Sequence, residues 1–385
     1  MEHRLNERVK EIEISGIRKF FNLVGTTENM ISLTIGQPDF HTPDHVKKAG
    51  IQAIEQNATV YTPNAGLLEL KRAAAAFYEK KYHVSYKAES EVIVTVGASQ
   101  AIDIALRTIL QPGDEVMLPG PVYPGYEPIV HMCEAKTVIV DTTENNFRMT
   151  ADLIEQSLTS RTKAIILPYP SNPTGVSLTD TELQDIAKLA KEHEIFILAD
   201  EIYSEIVYER PHVSIATFLP QQTIVINGLS KSHAMTGWRI GLLFAPENIA
   251  RHMLKVHQYN VSCASSVSQK AAVAALTSGI DDAIPMREEY KIRRDFAYDK
   301  LQSLGLKTVK PDGAFYFFVK MPESYTGSSF DFCLTLAKEY KVAVVPGSAF
   351  SANGEGWFRL SYACSIEDIR TGLERIEQFV IDLQK

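Results

Sequence analysis

The segment Thr223-Ile224-Val225-Ile226-Asn227-Gly228-Leu229-Ser230-Lys231 joins a short apolar run to a loop that carries a lysine. A run of this length, rich in β-branched residues, is typical of a buried strand. The loop after such a strand is the place where open α/β sheets bind their ligands. Most lysines are solvated surface cations, so the position of Lys231 assigns no chemistry until its neighbours are known.

Two other apolar runs end in the same manner. Residues 164–167 precede Asn172-Pro173-Thr174-Gly175, and residues 195–198 precede Ala199-Asp200-Glu201-Ile202-Tyr203. If the three runs are strands of one sheet, their ends bring an amide, a carboxylate with a phenol, and an amine to one rim. The sequence therefore predicts a polar site at the carboxyl ends of three strands.

Residues 90–245 alternate short β-rich runs with segments of helical period. Thr179-x-x-Glu182 is a capping box that opens one of these helices. Alternation of this kind predicts an α/β domain with a mainly parallel sheet covered by helices. Seven strands are expected, because four further β-rich runs accompany the three above, at residues 91–96, 115–118, 137–140 and 240–244.

The pattern changes after about residue 280 and predicts a smaller α+β domain. A second domain is expected on size alone, because a chain of 385 residues exceeds the length at which a single core stops growing. We expect helices over residues 287–304 and 330–340 and a final helix from Ser365. The predicted strands of this part are residues 315–319, 342–345 and 357–360.

The composition, with 45% hydrophobic and 22% charged residues, is that of an ordinary globular protein. The formal charge is −8 and no run of five or more basic residues occurs, so we expect no nucleic-acid partner. The apolar runs are too short for a membrane span, and the charged N-terminus lacks a signal core, so we expect a cytoplasmic protein without a membrane partner. The cysteines are far apart, which fits reduced thiols, and His131-Met132-Cys133 fits core or surface residues better than a metal site.

The ordered series of motifs resembles the fold-type I pyridoxal-phosphate aminotransferases, the aspartate aminotransferase superfamily. The resemblance covers nearly the whole chain, and it implies a homodimer with two domains in each subunit. Residues 36–279 are expected to form the large cofactor domain and residues 280–385 the small domain, with residues 1–35 packed against the small domain. The motifs are Ile35-Gly36-Gln37-Pro38-Asp39-Phe40, Tyr61-x4-Gly66, Asn172-Pro-x-Gly, Asp200-x-x-Tyr203, Ser230-Lys231 and Arg359.

The resemblance implies pyridoxal 5′-phosphate bound covalently to the ε-amine of Lys231. A protonated ammonium cannot attack an aldehyde, so we expect burial and the neighbouring Arg239 to lower the pKa of Lys231. Asp200 is the expected partner of the ring nitrogen; an aspartate at a strand end is otherwise as often structural. The family pattern implies that Tyr203 and Asn172 hydrogen-bond the phenolic oxygen of the ring.

The phosphate of this cofactor needs N–H donors and positive charge. Gly97-Ala98-Ser99-Gln100 opens a helix, so the backbone N–H groups of Ala98 and Ser99 can face an anion. This turn alone is weak evidence, because it is neither a GxGxxG nor a P-loop motif. The family pattern adds Ser230 and Arg239, whose guanidinium can grip two oxygens. Tyr123 matches the aromatic residue that stacks on the ring, although a tyrosine near prolines is more often a plain loop residue.

Three residues complete the expected site. Tyr61 corresponds to a tyrosine that reaches the phosphate of the neighbouring subunit, which implies active sites shared between two subunits. Arg359 lies among apolar neighbours, where an unpaired guanidinium is costly, so it pairs either with an internal carboxylate or with the substrate. The family pattern favours the α-carboxylate of the substrate. It also implies that Asn172 contacts the substrate and that Gly36 lets the backbone approach it.

The resemblance implies a ping-pong transamination. An amino acid gives up its amino group and leaves as a 2-oxo acid, and a second 2-oxo acid, commonly 2-oxoglutarate, takes the amino group. Lys231 is the expected general base for the Cα proton. A carbon–sulfur lyase of the same fold is one alternative. A non-catalytic regulator that binds the cofactor is another, although only about 35 residues precede the Gly36 motif, too few for the DNA-binding domain of such a regulator.

The substrate side chain is not specified by any readable motif. The pocket for it is expected from residues 14–21, the Tyr61 loop and scattered residues of the small domain. Ser15-Gly16-Ile17-Arg18 and residues 35–40 are similar to a bacterial subgroup that acts on N-acetyl-LL-diaminopimelate in lysine synthesis. An aromatic or broad-specificity aminotransferase is the alternative.

Overall fold

The computed structural model describes residues 1–25 and 28–385, with strands and α-helices numbered here along the chain. All seven strands predicted for the large sheet are present, with ends that differ from the prediction by no more than two residues. The strands are β1 Ile31–Ser32, β2 Val92–Thr95, β3 Glu115–Gly120, β4 Lys136–Asp141, β5 Thr162–Leu167, β6 Phe196–Asp200, β7 Thr223–Gly228, β8 Gly241–Phe244, β9 Tyr316–Lys320, β10 Val342–Ala343, β11 Val345–Pro346 and β12 Trp357–Ser361.

The large sheet has the strand order β2-β8-β7-β6-β5-β3-β4. Its neighbouring strands are parallel except around β8, which runs antiparallel to both β7 and β2. The prediction of a mainly parallel seven-stranded sheet is therefore confirmed. Strands β5, β6 and β7 are adjacent and parallel, so their carboxyl ends lie side by side at one edge.

Helices cover both faces of the large sheet and complete the small domain. The long helix predicted over residues 287–304 begins earlier, at Ala283, and the last helix follows Ser365 as predicted. The α-helices are α1 Glu7–Glu11, α2 Gly16–Val24, α3 Asp44–Glu55, α4 Leu68–Tyr82, α5 Gly97–Ile109, α6 Glu127–Met132, α7 Ala151–Ser157, α8 Asp180–Glu192, α9 Leu229–Ser232, α10 Glu247–Val261, α11 Ser266–Leu276, α12 Ala283–Ser303, α13 Ser329–Tyr340 and α14 Ile366–Asp382.

Residues on the central strands alternate between two apolar cores. On β7, Val225 packs into one core, whereas Ile224 and Ile226 pack into the core on the other face. A strand buried on both faces reads as a continuous apolar run, which is why the sequence revealed these strands. The predicted capping box of α8 is also formed, because Thr179 Oγ1 accepts from the Glu182 backbone and the Glu182 carboxylate accepts from the Thr179 backbone.

The small domain contains two short sheets, one of two strands and one of three. The prediction of a single strand over residues 342–345 is wrong, because Val342–Ala343 pairs in parallel with β1 and Val345–Pro346 pairs antiparallel with β12. One apolar run thus contributes a strand to each of two sheets. The run is continuous because both of its halves are buried. Strand β12 also pairs with β9, and a third apolar core lies around these strands, α13 and α14.

The described residues include no helix that is long and apolar enough to cross a membrane. Cys133, Cys263, Cys333 and Cys364 are free thiols. His131 is paired with Glu11, at 2.9 Å between Nε2 and Oε2. Residues 1–25 and 28–385 hold no group of three His, Cys, Asp or Glu side chains placed to bind a metal ion.

Candidate active site

The ends of β5, β6 and β7 open into one cavity of about 540 Å³. Asn172 follows β5, Asp200 is the last residue of β6 and Lys231 follows β7, and all three line the cavity. A volume of this size suits a small organic ligand. The predicted polar rim therefore exists as a real concave site.

Most of the predicted site residues meet in this cavity. Tyr61 does not line it within this chain; its side chain is 87% exposed instead. The predicted residues that line the cavity are Gly36, Ala98, Ser99, Tyr123, Asn172, Asp200, Tyr203, Ser230, Lys231, Arg239 and Arg359. Ile17 and Phe21, from the N-terminal segment expected to shape the side-chain pocket, also line it.

Lys231 lies on the short helix α9, immediately after β7. The pKa of Lys231 is lowered to about 8, mainly by burial and then by the positive charges of Arg359 and Arg239, whereas Asp200 acts in the opposite direction. Burial and Arg239 were the predicted causes of this lowered pKa. Arg359, whose effect is larger than that of Arg239, was not predicted. Lys231 Nζ donates a hydrogen bond to the carbonyl oxygen of Gly36. At neutral pH a useful fraction of this amine is therefore unprotonated and nucleophilic.

Asp200 is a buried carboxylate at the end of β6, and burial raises its pKa. Tyr126 opposes this effect, because its hydroxyl donates to Asp200 Oδ2 at 2.6 Å. The backbone N–H of Ile202 donates to Oδ1 at 3.3 Å. Hydrogen bonds to the charged form favour that form. Of the contacts that favour the charged form of this carboxylate, the hydrogen bond from Tyr126 has the largest effect.

An anion site lies at the first turn of α5. This helix has 13 residues, and the N–H groups of Ala98 and Ser99 belong to its first turn. Arg239 lies beside it, since an added Cβ at Gly97 would collide with the Arg239 guanidinium. Within the described chain no carboxylate pairs with Arg239, whose side chain donates only to the Thr236 carbonyl oxygen at 3.1 Å. A free guanidinium at a helix N-terminus is suited to phosphate.

The backbone of Arg239 is unusual. Its φ of +54° lies in the left-handed region, which costs a residue with a Cβ about 1 kcal/mol or more. The surrounding structure maintains this conformation, and the guanidinium consequently faces the cavity. Strain of this kind tends to occur at functional sites.

Arg359 projects from β12 and is 3% exposed. Its Nη1 donates to Asn172 Oδ1 at 2.9 Å and its Nη2 donates to the Thr34 carbonyl oxygen at 2.7 Å. Its Nε has no hydrogen-bond partner, and no carboxylate pairs with it in the part of the chain that the structure describes. The internal ion pair considered for Arg359 is therefore not formed among residues 1–25 and 28–385. A buried guanidinium that faces a cavity in this state can accept an anionic ligand.

Asn172 and Tyr203 are oriented by their partners. Because Arg359 uses the amide oxygen of Asn172, the amide nitrogen of Asn172 remains as a donor. The hydroxyl of Tyr203 shares a hydrogen bond of 2.8 Å with the hydroxyl of Tyr316. Both tyrosines are buried, and burial raises the pKa of each. They therefore remain neutral hydrogen-bonding groups.

The sequence did not reveal Tyr126 and Tyr316 as site residues. Tyr126 follows Tyr123 by three positions in a loop with two prolines, but nothing in that loop indicates its contact with Asp200. Tyr316 is one of four consecutive aromatic residues, a pattern that indicates only a buried strand. Their importance comes from partners that are distant in sequence.

The family model for aminotransferase class I and II matches residues 28–376. The chain belongs to the class I and II aminotransferases. It is therefore a transaminase, and its fold is the α/β fold of that family. A class I and II aminotransferase depends on pyridoxal phosphate for its chemistry.

Relatives of this aminotransferase match it over nearly its full length. A probable N-acetyl-LL-diaminopimelate aminotransferase of Bacillus subtilis is 63% identical over 99% of this chain and 97% of the relative. The aromatic-amino-acid aminotransferase 2 of Thermococcus litoralis is 41% identical over 97% of each chain. A structure of Thermus thermophilus aspartate aminotransferase with maleate is 36% identical, with a TM-score of 0.91 over 97% of this chain and 99% of the other.

The residues of this aminotransferase fit pyridoxal phosphate. The cofactor requires an amine that can be unprotonated, an acid for its ring nitrogen and a cradle for its phosphate. Lys231, Asp200 and the first turn of α5 with Arg239 supply these groups in one cavity. Tyr123 adds an aromatic wall beside Asp200, since its ring meets that of Tyr126 edge-on at 5.6 Å.

Proposed function

We propose that this transaminase binds pyridoxal 5′-phosphate covalently through Lys231 and moves an amino group from an L-amino acid to a 2-oxo acid by a ping-pong mechanism. The observation that carries the proposal is the position of Lys231. Its amine has a pKa lowered to about 8 and shares one cavity with a buried carboxylate and two arginines that have no carboxylate partner in the described residues.

Each group of the cofactor has a proposed partner in this cavity. Asp200 holds the ring nitrogen, Tyr123 covers the ring face, and Tyr203 and Asn172 donate to the phenolic oxygen. The phosphate is held by the residues Ala98, Ser99, Ser230 and Arg239. When bound, the cofactor withdraws electrons from the substrate Cα and so makes its proton removable.

The substrate is held by Arg359 and contacted by Asn172 and Gly36. The free N–H groups of Arg359 bind the α-carboxylate, which supplies the anionic partner that this guanidinium lacks. The substrate amino group would replace Lys231 on the cofactor, and the released amine, with its lowered pKa, would then take the proton from Cα and pass it to C4′ of the cofactor. Asp200, Tyr203 and Lys231 are the residues that we assign to catalysis.

We propose N-acetyl-LL-2,6-diaminopimelate as the amino compound and 2-oxoglutarate as its partner, in lysine biosynthesis. The relative with this function is 63% identical along almost the full chain, which supports the assignment. The aromatic-amino-acid aminotransferase at 41% identity keeps an aromatic or broad-specificity enzyme as the second candidate. A carbon–sulfur lyase of the same fold is less well supported, since the matched family is named for transamination.

We propose that the enzyme works as a homodimer in which Tyr61 reaches the phosphate of the neighbouring site. The surface of the single chain is 16879 Å², whereas a monomer of 42.9 kDa is expected to expose roughly 15,000 Å². Tyr61 is 87% exposed and Tyr259 is 88% exposed, and Asn64 joins the Tyr61 loop to Ser262 at the end of α10. Exposed aromatic residues of this kind are typical of an interface.

We also propose the division into residues 1–35, 36–279 and 280–385. The pairing of β1 with β10 supports the assignment of the N-terminal segment to the small domain. Residues 26 and 27 of that segment lie outside the described residues. A cytoplasmic location remains our prediction, and the four free thiols support a reducing compartment.

The proposed function is tested with a panel of amino compounds. The purified enzyme is mixed with each one, and the visible absorption of the cofactor is followed with and without 2-oxoglutarate. We expect N-acetyl-LL-2,6-diaminopimelate to change the spectrum fastest and 2-oxoglutarate to restore it, with no response from Lys231→Ala. Formation of pyruvate and ammonia from cysteine-like compounds without a 2-oxo acid would instead identify a lyase.

A further inference from the structure

The guanidinium of Arg359 is not oriented by charge. Of its five N–H groups, two donate to neutral oxygens, those of Asn172 and Thr34. Burial lowers the pKa of Arg359, and the described residues provide no carboxylate to offset that burial. Both hydrogen bonds are made at the edge of the planar guanidinium, so its faces are left for a further contact.

Aromatic rings provide this contact. The ring centroid of Tyr316 lies 4.4 Å from Arg359 Cζ, and that of Phe350 lies at 5.0 Å. Strands β9 and β12 are antiparallel, with Arg359 opposite Phe318 and Ser361 opposite Tyr316. Tyr316 is therefore a diagonal neighbour of Arg359 on the same face of the sheet, within reach of a long side chain. Of these two rings, only that of Tyr316 lines the cavity.

The ring of Tyr316 is itself fixed at both ends. Its backbone belongs to β9, and its hydroxyl shares a 2.8 Å hydrogen bond with the hydroxyl of Tyr203. Gly36 leaves space for that hydroxyl, because an added Cβ would lie 3.2 Å from it. Tyr316 is fully buried, so the ring has one well-defined position.

We propose that the ring of Tyr316 is a positioning element for Arg359, which holds the guanidinium ready for the α-carboxylate before any substrate binds. This inference rests on the proposed role of Arg359 in carboxylate binding. Attraction between a cation and a ring face strengthens when both are shielded from water, and the loss of such a contact weakens binding by on the order of tenfold. The ring, and not the hydroxyl, is responsible for this effect.

The test compares Tyr316→Leu with Tyr316→Phe. The probe is 2-oxoglutarate, which has a carboxylate but no amino group to transfer, titrated into each holoenzyme while the visible absorption is recorded. We expect the dissociation constant to rise on the order of tenfold for Tyr316→Leu and to stay within about twofold for Tyr316→Phe. The affinity for pyridoxal phosphate, measured separately, should be the same in the two variants, because both lose the hydroxyl that contacts Tyr203.

The outcomes separate this inference from the proposed function. Arg359→Leu should weaken 2-oxoglutarate binding more than either tyrosine variant; if it does not, the role of Arg359 and the inference fail together. If Arg359→Leu behaves as expected but Tyr316→Leu binds as the wild type does, only the inference fails. Equal weakening in Tyr316→Phe and Tyr316→Leu would assign the effect to the hydroxyl and overturn the role of the ring. If Tyr316→Leu folds poorly, Tyr316→Met, which also lacks an aromatic ring, takes its place in the comparison with Tyr316→Phe.

Discussion

The pKa of Asp200 reflects a balance between burial and the hydrogen bonds that this carboxyl accepts. Burial raises the pKa of this carboxyl, and the Tyr126 hydroxyl is the strongest of the contacts that lower it. A hydrogen bond to a charged group contributes about 1.5–3 kcal/mol. The acid proposed for the ring nitrogen is therefore supported by a tyrosine whose role becomes visible only in the structure.

Replacing Tyr126→Phe should leave the cavity intact but raise the pKa of Asp200. We expect the first half-reaction to slow on the order of tenfold or more. The acidic limb of its pH–rate profile should move to higher pH, because the carboxylate is protonated more easily. Single-turnover absorbance across a pH series measures both effects. Tyr86→Phe is the matched control, since the Tyr86 hydroxyl is buried without a hydrogen-bond partner. If the two variants behave alike, the Tyr126 hydroxyl does not lower the pKa of Asp200.

Lys231 should titrate near pH 8 in the apoprotein. Its reactivity towards a small amine-labelling reagent is expected to increase through that pH, whereas exposed lysines respond near 10. In Arg359→Leu the midpoint should move upward, because a repelling positive charge has been removed. Labelling followed by peptide mass analysis gives the midpoint for each lysine. A midpoint near 10 in the wild type would contradict the proposed activation of this amine.

Helix α5 shows how an element creates a site through its first residue. Gly97 has a φ of +76°, and an added Cβ there would collide with Arg239. Glycine is thus needed for both the turn and the guanidinium. The sequence predicted a helix that opens at this turn, which the structure confirms, but the contact with Arg239 required the structure.

We expect Gly97→Ala to weaken binding of pyridoxal phosphate by at least tenfold, because it displaces the guanidinium that faces the phosphate. Equilibrium titration of the apoprotein with the cofactor measures this change. Gly113→Ala is the control for backbone strain, since Gly113 has a φ of +87° and open space around its Cα. Both variants should lose stability, but only Gly97→Ala should lose cofactor affinity. Comparable affinities in the two would argue against a phosphate site at α5.

The strands of the large sheet were predictable because burial on both faces leaves a continuous apolar run. The same rule failed at residues 342–345, where one apolar run belongs to two sheets. A change of partner strand does not alter the hydrophobic pattern when the residues on both sides of the change are buried. Strand β1, with two residues, is too short to produce any pattern.

At the scale of the whole molecule, the sequence predicted those site residues that stand at strand ends or within known motifs. Asn172, Asp200 and Lys231 belong to this group, and the fold brings them into one cavity. Tyr126 and Tyr316 were not predictable, because their partners Asp200 and Tyr203 lie 74 and 113 positions away. Contacts over such distances depend on the assembled fold and not on local pattern.

The proposed sharing of sites between subunits predicts complementation. Lys231→Ala and Tyr61→Ala should each be nearly inactive as purified proteins. A mixed dimer of the two contains one site with an intact Lys231 and an intact Tyr61 from the other subunit, so activity should return to as much as about one wild-type site for each mixed dimer. If Tyr61 acts within its own chain, mixing restores nothing. Turnover before and after subunit exchange distinguishes these cases.

In the proposed enzyme, one amine, that of Lys231, forms the covalent bond to the cofactor. The most direct measurement is borohydride reduction of the holoenzyme, which fixes any bond between a lysine and the cofactor, followed by peptide mass mapping. We predict a single phosphopyridoxyl label, located on Lys231, and none in the Lys231→Ala variant. A label on a different lysine, or a wild-type holoenzyme that yields no labelled peptide, would contradict the account.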